Sequence, residues 1–149
     1  SFEMSEKKIV ICDIDGTIAN NDHRQHFLEG KKDWEGFFNC ADKDRPIKKI
    51  IQEVISLHKK KHEIIFVSGR PELYRTLTKK WLEKFFNFKI NLYMRKTGDK
   101  RNKVLVKQDI FNNELKKKNT RIEIVFENDK DLAEMWTKMG LKVFFVELD

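Results

Sequence analysis

Five short apolar runs punctuate the chain, and between them apolar residues recur every three or four positions. Ile9-Val10-Ile11-Cys12 and residues 63–67, 89–94, 122–126 and 141–146 are too short for helices and rich in β-branched and aromatic side chains, so each predicts a strand. Their lack of strict alternation predicts burial on both faces. Residues 47–58, opened by Pro46, carry an amphipathic helical period, as do 72–86 and 131–139, with Gly140 as the C′ residue of the last. Residues 101–118 read as a further helix with Val104, Leu105, Ile110, Phe111 and Leu115 inward and Lys107 close to its start. The stretch from 18 to 46 has no clean period. Within it Trp34, Phe37 and Phe38 sit at helical spacing behind Asp33, a ready N-cap, and predict one short packed helix. Strands alternating with helices give an α/β fold, a parallel sheet covered on both faces, and ligands in such sheets bind beyond the carboxyl ends of the strands.

At 149 residues the chain reads as one domain over 1–149, with residues 1–4 an appended remnant and Met4 a natural start. The N-terminus lacks the basic-then-apolar order of a signal peptide, and no apolar run is long enough to span a membrane, so a cytoplasmic protein is expected. Cys12 reads as core and Cys40 as a residue of an irregular stretch; neither has zinc or redox spacing. Lys plus Arg exceed Asp plus Glu, 31 against 24, for a net charge of +7. That excess favours anionic partners, nucleic acid being the commonest. Much of it lies in Lys59-Lys60-Lys61 and Lys116-Lys117-Lys118, which read as solvated helix ends.

The first strand changes the picture from fold to chemistry. It ends in Asp13-Ile14-Asp15-Gly16-Thr17. Alternation along a strand projects both carboxylates to one side, where two like charges attract a hard divalent cation and shift each other's proton affinity. The second strand ends in Ser68-Gly69-Arg70 and the fourth in Glu127-Asn128-Asp129, so three strand ends bring polar groups to one edge. His23 and His26 have no partner at ligand spacing and read as surface or hydrogen-bonding residues.

The Asp13-Ile14-Asp15-Gly16-Thr17 motif resembles the signature of the haloacid dehalogenase-like (HAD) superfamily. The resemblance implies a three-layer Rossmann-like sheet of five parallel strands in the order 3-2-1-4-5, here with only a minimal cap. It also implies a Mg²⁺-dependent phosphomonoesterase in which Asp13 attacks phosphorus to form an aspartyl-phosphate and Asp15 is general acid and base. Ser68 and the Gly69 amide would bond phosphate oxygens, and Lys107 would screen the charge gathered on Asp13. The metal would be held by Asp13, the Asp15 carbonyl and the polar residues after the fourth strand, Glu127 and Asn128. The superfamily usually has two adjacent aspartates there, and the sequence leaves open which of Glu127, Asn128, Asp129 and Asp131 faces Asp13.

A closer resemblance spans most of the chain. Residues 67–71 (Val-Ser-Gly-Arg-Pro), Thr78, Trp81-Leu82, Met94-Arg95, Gly98-Asp99, Arg101, Val106-Lys107 and Glu134-Met135-Trp136 are similar to the 3′-phosphatase domain of phage-type polynucleotide kinase/phosphatases. Asp22-His23-Arg24 and Asp33-Trp34 are similar to pairs in small standalone relatives of that domain. This implies removal of a 3′-phosphate from a polynucleotide or nucleotide, with Thr17, Arg24, Arg70, Arg95 and Arg101 as further substrate contacts, guanidinium forks being suited to phosphate. The departure is Asn102-Lys103, where relatives often carry acids. No Gly-x-x-x-x-Gly-Lys-[Ser/Thr] loop occurs, so no kinase domain is expected in this chain. Two alternatives stand beside this reading: a phosphatase of mononucleotides or other small esters, and a non-catalytic nucleic-acid-binding module on the same fold.

Overall fold

Strand β1 (Ile9–Cys12) is buried from end to end, and its alternating side chains supply two separate cores. Val10 and Cys12 pack with one cluster, Ile9 and Ile11 with the other. The neighbouring strands divide in the same way: Ile64 and Phe66 face one cluster, Ile65 and Val67 the opposite one. This is the physical origin of the unbroken apolar runs, since a strand covered on both sides has no wet face. Each such side chain contributes about 1.5–3 kcal/mol by leaving water.

The computed structural model describes residues 7–148; the expected remnant at 1–4 lies outside them. Strands β4 (Glu63–Pro71), β5 (Leu92–Arg95), β6 (Ile122–Glu127) and β7 (Val143–Phe145) join β1 in a parallel sheet of order β5-β4-β1-β6-β7. Counted along the chain without the two short strands described below, this is the expected 3-2-1-4-5 order. Helices α2 (Lys48–Lys59) and α3 (Arg75–Glu83) cover one face, through Ile50, Ile51, Val54, Trp81 and Leu82. Helices α4 (Lys103–Ile110) and α5 (Lys130–Lys138), with Phe111 and Leu115, cover the other. The chain leaves β1 toward β4 and β5 and returns across it to β6, so strand order reverses between β1 and β6. A crevice opens beyond the carboxyl ends of strands at such a reversal.

Several boundaries differ from the sequence expectation. β4 does not stop at Val67 but runs on through Ser68-Gly69-Arg70, because a register shift lets Pro71 pair with Arg95 of β5. The third sheet strand begins at Leu92 rather than at 89, and the last is confined to Val143–Phe145, with Phe144 and Phe145 on the outer edge. The 72–86 segment splits into a 3₁₀ turn (Glu72–Tyr74) and α3. The 101–118 helix is α4, capped by Asn102 whose side chain accepts from the Leu105 N–H at 3.0 Å, then a π-helical turn (Phe111–Leu115) and a 3₁₀ stretch (Lys116–Arg121). The phase of the helix therefore differs from a uniform period: Val106 and Lys107 face inward, and Leu105 is exposed.

Between β1 and α2 the chain makes a small insert, held at its base by a two-stranded antiparallel ladder of β2 (Ala19–Asn20) and β3 (Arg45–Pro46). Pro46 thus ends a strand, and α2 starts after Ile47. The insert contains a 3₁₀ segment (Asp22–Leu28), α1 (Trp34–Asn39) and a second 3₁₀ turn (Ala41–Lys43). Asp33 caps α1 as expected, accepting from the Gly36 N–H at 2.9 Å. Among the described residues no helix is long and apolar enough to cross a membrane.

Candidate active site

Asp13 is the first residue past β1 and still donates its N–H to Phe126 of β6, at 3.0 Å, so its position is fixed by the sheet. The chain then reverses: the N–H groups of Thr17, Ile18 and Ala19 converge on the Ile14 carbonyl, and Gly16 sits at φ +80°, the left-handed region that disfavours side chains. A Cβ at Gly16 would lie 2.1 Å from the Asn128 side-chain amide, so glycine is also required by space. The turn brings Thr17 back to Asp13, its hydroxyl donating to Asp13 Oδ2 at 2.8 Å.

Asp13 Oδ1 accepts from Lys107 Nζ at 2.6 Å, and Lys107 also reaches Glu127 Oε1 at 3.3 Å. All three side chains are buried, and the set carries two acids against one base. Burial first, and then the charge of Glu127, push the Asp13 carboxyl up to about 8. Burial disfavours the Lys107 charge, but Asp13 and Glu127 outweigh it and hold the ammonium above its ordinary range. Cys12 just below is pushed up too, by burial and then by both carboxylates, and is an inert core thiol.

Glu127 is turned into the protein. Its Oε1 accepts from Trp136 Nε1 at 3.1 Å as well as from Lys107, and its Oε2 from the N–H groups of Asn128 and Asp129 at 3.1 and 3.2 Å. Asp129 caps α5, accepting from Leu132, and pairs with Lys103; Asp131 belongs to the first turn of that helix. The residue after β6 that faces Asp13 is Asn128. With its amide nitrogen toward the site, Asn128 lies 2.8 Å from Asp13 Oδ2, 2.9 Å from the Asp15 carbonyl and 3.2 Å from Thr17 Oγ1. Carboxylate, carbonyl and hydroxyl oxygens thus converge on one point where a donor sits. Turned the other way, the same amide presents its own oxygen. Among the described residues no cluster of three His, Cys, Asp or Glu side chains could hold a metal by itself. The convergent set is instead one carboxylate with neutral oxygens, hard ligands of the type Mg²⁺ takes.

Asp15 occupies a different environment. Arg70 reaches it with Nε at 3.0 Å from Oδ2 and Nη2 at 2.8 Å from Oδ1, and Arg24 with Nη2 at 2.6 Å from Oδ1. Burial opposes ionisation, but Arg70 and then Arg24 hold the carboxyl down at about 2. Both guanidiniums are buried and are also bound from behind by Asp44: Arg24 Nε and Nη2 at 2.8 and 2.7 Å, and Arg70 Nη2 at 3.2 Å. His23 Nε2 lies 2.7 Å from the same carboxylate, the Trp81 indole donates to the Asp44 carbonyl at 2.9 Å, and Thr78 accepts from Arg70 at 3.0 Å.

The sequence thus brings Asp13, Asp15, Thr17, Ser68, Arg24, Arg70, Lys107, Glu127 and Asn128 to one edge, with two reassignments of surroundings. Arg24 and Arg70 grip Asp15 and Asp44, and Glu127 faces Lys107 and Trp136. Ser68 Oγ accepts from the Arg70 N–H at 3.0 Å, fixing the turn. Gly69 and Arg95 lie further out, Arg95 Nε donating to the Gly69 carbonyl at 2.7 Å and Nη1 to the Arg101 carbonyl at 2.6 Å. Arg101 is engaged by Asp99 and Asp109 at 2.8 and 2.7 Å, away from Asp15. Asp44, Thr78 and Trp136 are additions that sequence reasoning missed. Asp44 lies in an aperiodic stretch and has no motif; Thr78 and Trp136 were visible only as members of a resemblance.

Residues 7–149 match the family described as the polynucleotide kinase PNKP phosphatase domain. The chain is 30% identical over 140 residues, 93% of its length, to a protein of Autographa californica nuclear polyhedrosis virus named "Putative bifunctional polynucleotide kinase/RNA ligase", and it spans 19% of that protein. Among solved structures it resembles a chain of the Pnkp1/Rnl/Hen1 RNA repair complex, with a TM-score of 0.77 and 26% identity, covering 95% of this chain and 43% of that one. The class C acid phosphatase of Bacillus anthracis with tungstate bound shares the fold at a TM-score of 0.61 and 18% identity, over 93% of this chain and 67% of that one.

Proposed function

Because the chain belongs to the family of polynucleotide kinase PNKP phosphatase domains, and is therefore a HAD-type phosphatase, we propose that it is a Mg²⁺-dependent phosphomonoesterase that removes 3′-phosphate from polynucleotide ends or nucleotides through an aspartyl-phosphate on Asp13. The observation that carries this reading is the pair of carboxylates one residue apart, held in opposite settings: Asp13 by Lys107 and Thr17, Asp15 by two arginines. Separated proton affinities in adjacent acids are the mark of divided labour.

The metal would be held by Asp13 and the Asp15 carbonyl, which converge at the crevice, and by the Asn128 oxygen once that amide turns from donor to acceptor. When bound, Mg²⁺ would neutralise phosphoryl oxygens and favour the ionised form of Asp13. An Asp13 oxygen attacks phosphorus, the bond to the 3′ oxygen breaks, and that oxygen takes a proton from Asp15. Asp15 then removes a proton from the water that attacks the aspartyl-phosphate, releasing phosphate and restoring Asp13. Lys107 offsets charge on Asp13 throughout, and the Ser68 hydroxyl hydrogen and the Gly69 amide remain for phosphate oxygens.

In the protein without substrate, Asp15 is held as an anion, which suits a base and not an acid. A phosphate dianion entering beside it is a like charge, and repulsion between the two raises the proton affinity of Asp15 toward that of an acid. Asp44, bonded to both guanidiniums, keeps the two cations on Asp15 throughout. The names of the similar proteins, a kinase/RNA ligase and an RNA repair complex, support a nucleic-acid end as the substrate and joining enzymes as co-workers. The test is Mg²⁺-dependent phosphate release from a 3′-phosphorylated oligonucleotide, a 3′-mononucleotide and a 5′-mononucleotide. The 3′ substrates are expected to be preferred, and a preference for the 5′-mononucleotide would overturn the reading.

A further inference from the structure

Of the three tryptophans, Trp81 and Trp136 are 1% and 0% exposed, whereas Trp34 is 50% exposed. Helical spacing groups Trp34 with Phe37 and Phe38, but Phe37 alone takes the core position of α1, and packing does not account for an indole left half in water. Its ring is nearly parallel to that of Phe38, at 22° with centroids 6.0 Å apart, and Phe38 lies 5.0 Å from Tyr74 at 32°. Three rings from two separate elements therefore form a row, with Trp34 at its open end.

The row is tied to the catalytic edge at two points. Tyr74 is on the 3₁₀ turn that follows β4, the strand that delivers Ser68 and Arg70. Phe37, in edge contact with Trp34 at 5.9 Å, carries the Arg24 guanidinium on its face at 4.3 Å, and Arg24 in turn touches Asp15. Trp34 is thus joined to Asp15 through Phe37 and Arg24. The charges around the row are mixed. Lys32 lies 5.7 Å from the Trp34 ring centroid beside exposed Lys31. A groove of about 790 Å³ next to Tyr74 has Lys80 and Lys84 among its lining residues, and Glu35 and Asp42 as well. Acids so close to the rings disfavour a phosphate there but tolerate a neutral base, while the lysines offer partners to the flanking backbone.

We propose that Trp34, backed by Phe38 and Tyr74, is a stacking platform for a nucleobase near the 3′ end of a single-stranded polynucleotide. The proposal rests on the polynucleotide reading above and gives it a specificity site. Stacking of a base on an aromatic ring is sequence-tolerant and its loss costs on the order of tenfold or more in binding.

The experiment measures kcat and KM for a single-stranded 3′-phosphorylated oligonucleotide and for p-nitrophenyl phosphate, with wild-type protein, Trp34→Ala and Trp34→Phe. Trp34→Ala is expected to lower the ratio of kcat/KM for the oligonucleotide to that for p-nitrophenyl phosphate on the order of tenfold, mainly through KM, and Trp34→Phe to recover most of it. An unchanged ratio in Trp34→Ala overturns the platform and leaves the polynucleotide reading standing. A wild-type protein that shows no preference for the oligonucleotide overturns the reading, and the platform with it.

Discussion

Arg70 grips Asp15 with two nitrogens, Nε 3.0 Å from one carboxylate oxygen and Nη2 2.8 Å from the other. A planar fork bonded in this way fixes the plane of the carboxylate as well as its charge, which an ammonium on a flexible stem does not. Arg70→Lys is therefore expected to keep the fold and lose on the order of 100-fold or more in kcat, with the acidic limb of the pH–rate profile displaced. Steady-state kinetics across pH 5 to 9 check this; wild-type kcat in the lysine variant would show that the fork has no role in turnover.

Stability should depend on pH with opposite signs at the two acids. Asp15 is held at about 2 in the folded protein, against an ordinary 3.8, so its contribution of about 2 kcal/mol is present above pH 4 and is lost as pH falls from about 4 to 2. Asp13 is raised to about 8, so folding favours its protonated form, and the stability this gives is progressively lost as pH rises from about 4 to 8. Urea unfolding in chelator is expected to give a higher midpoint at pH 6 than at pH 8.5, and Asp13→Asn to flatten that difference.

Asn128→Asp replaces the donor that faces Asp13 Oδ2 and the Asp15 carbonyl with a further carboxylate. Two carboxylates side by side repel in the absence of a cation and bind one more tightly in its presence. The variant is expected to melt several degrees below wild type in chelator, and to gain more on addition of Mg²⁺, with affinity raised roughly tenfold. Melting curves with and without the metal test this directly, and equal Mg²⁺-induced shifts in the two proteins would count against Asn128 as a ligand.

Lys107→Met removes the one cation shared by Asp13 and Glu127, both buried. Breaking a buried pair from one side costs about 3–5 kcal/mol, because an uncompensated charge is left behind. Denaturant unfolding is expected to show that loss at pH 9, where Asp13 is ionised, and a smaller one at pH 6, where Asp13 carries its proton. A uniform loss across pH would point to packing instead of charge.

How much of this was legible in the sequence depended on how far apart the cooperating residues lie. Asp13, Asp15, Gly16 and Thr17 are contiguous, and the turn they make is local, so motif and geometry coincide. The apolar runs gave the strands because burial on both faces writes itself into consecutive residues. Asp44 could not be seen: it meets Arg24 and Arg70 only because the ladder of β2 and β3 closes the insert. The same limit applies to charge. From sequence, an arginine near a phosphate site is a candidate for phosphate; in the fold, Arg24 and Arg70 are already satisfied by carboxylates. Glu127 looked like a ligand because it is acidic and follows a strand, but Trp136 and Lys107, brought in by the helices on that face, draw it inward. The phase of α4 was obscured by the π turn at Phe111–Leu115, which adds a residue to the repeat.

The small insert between β2 and β3 has a bearing on how such domains could be recombined. Arg24 and Asp44 lie at its two ends, and through them it provides one of the two cations on Asp15 and the anion behind both. Exchange of this segment for that of another phosphatase would transplant half of the charge balance around the acid along with whatever recognises substrate. Chimeras that cut at Asn20 and Arg45 would then lose turnover toward every ester alike, including ones too small to touch the insert, and selectivity could be re-engineered only by substitutions on its outer face.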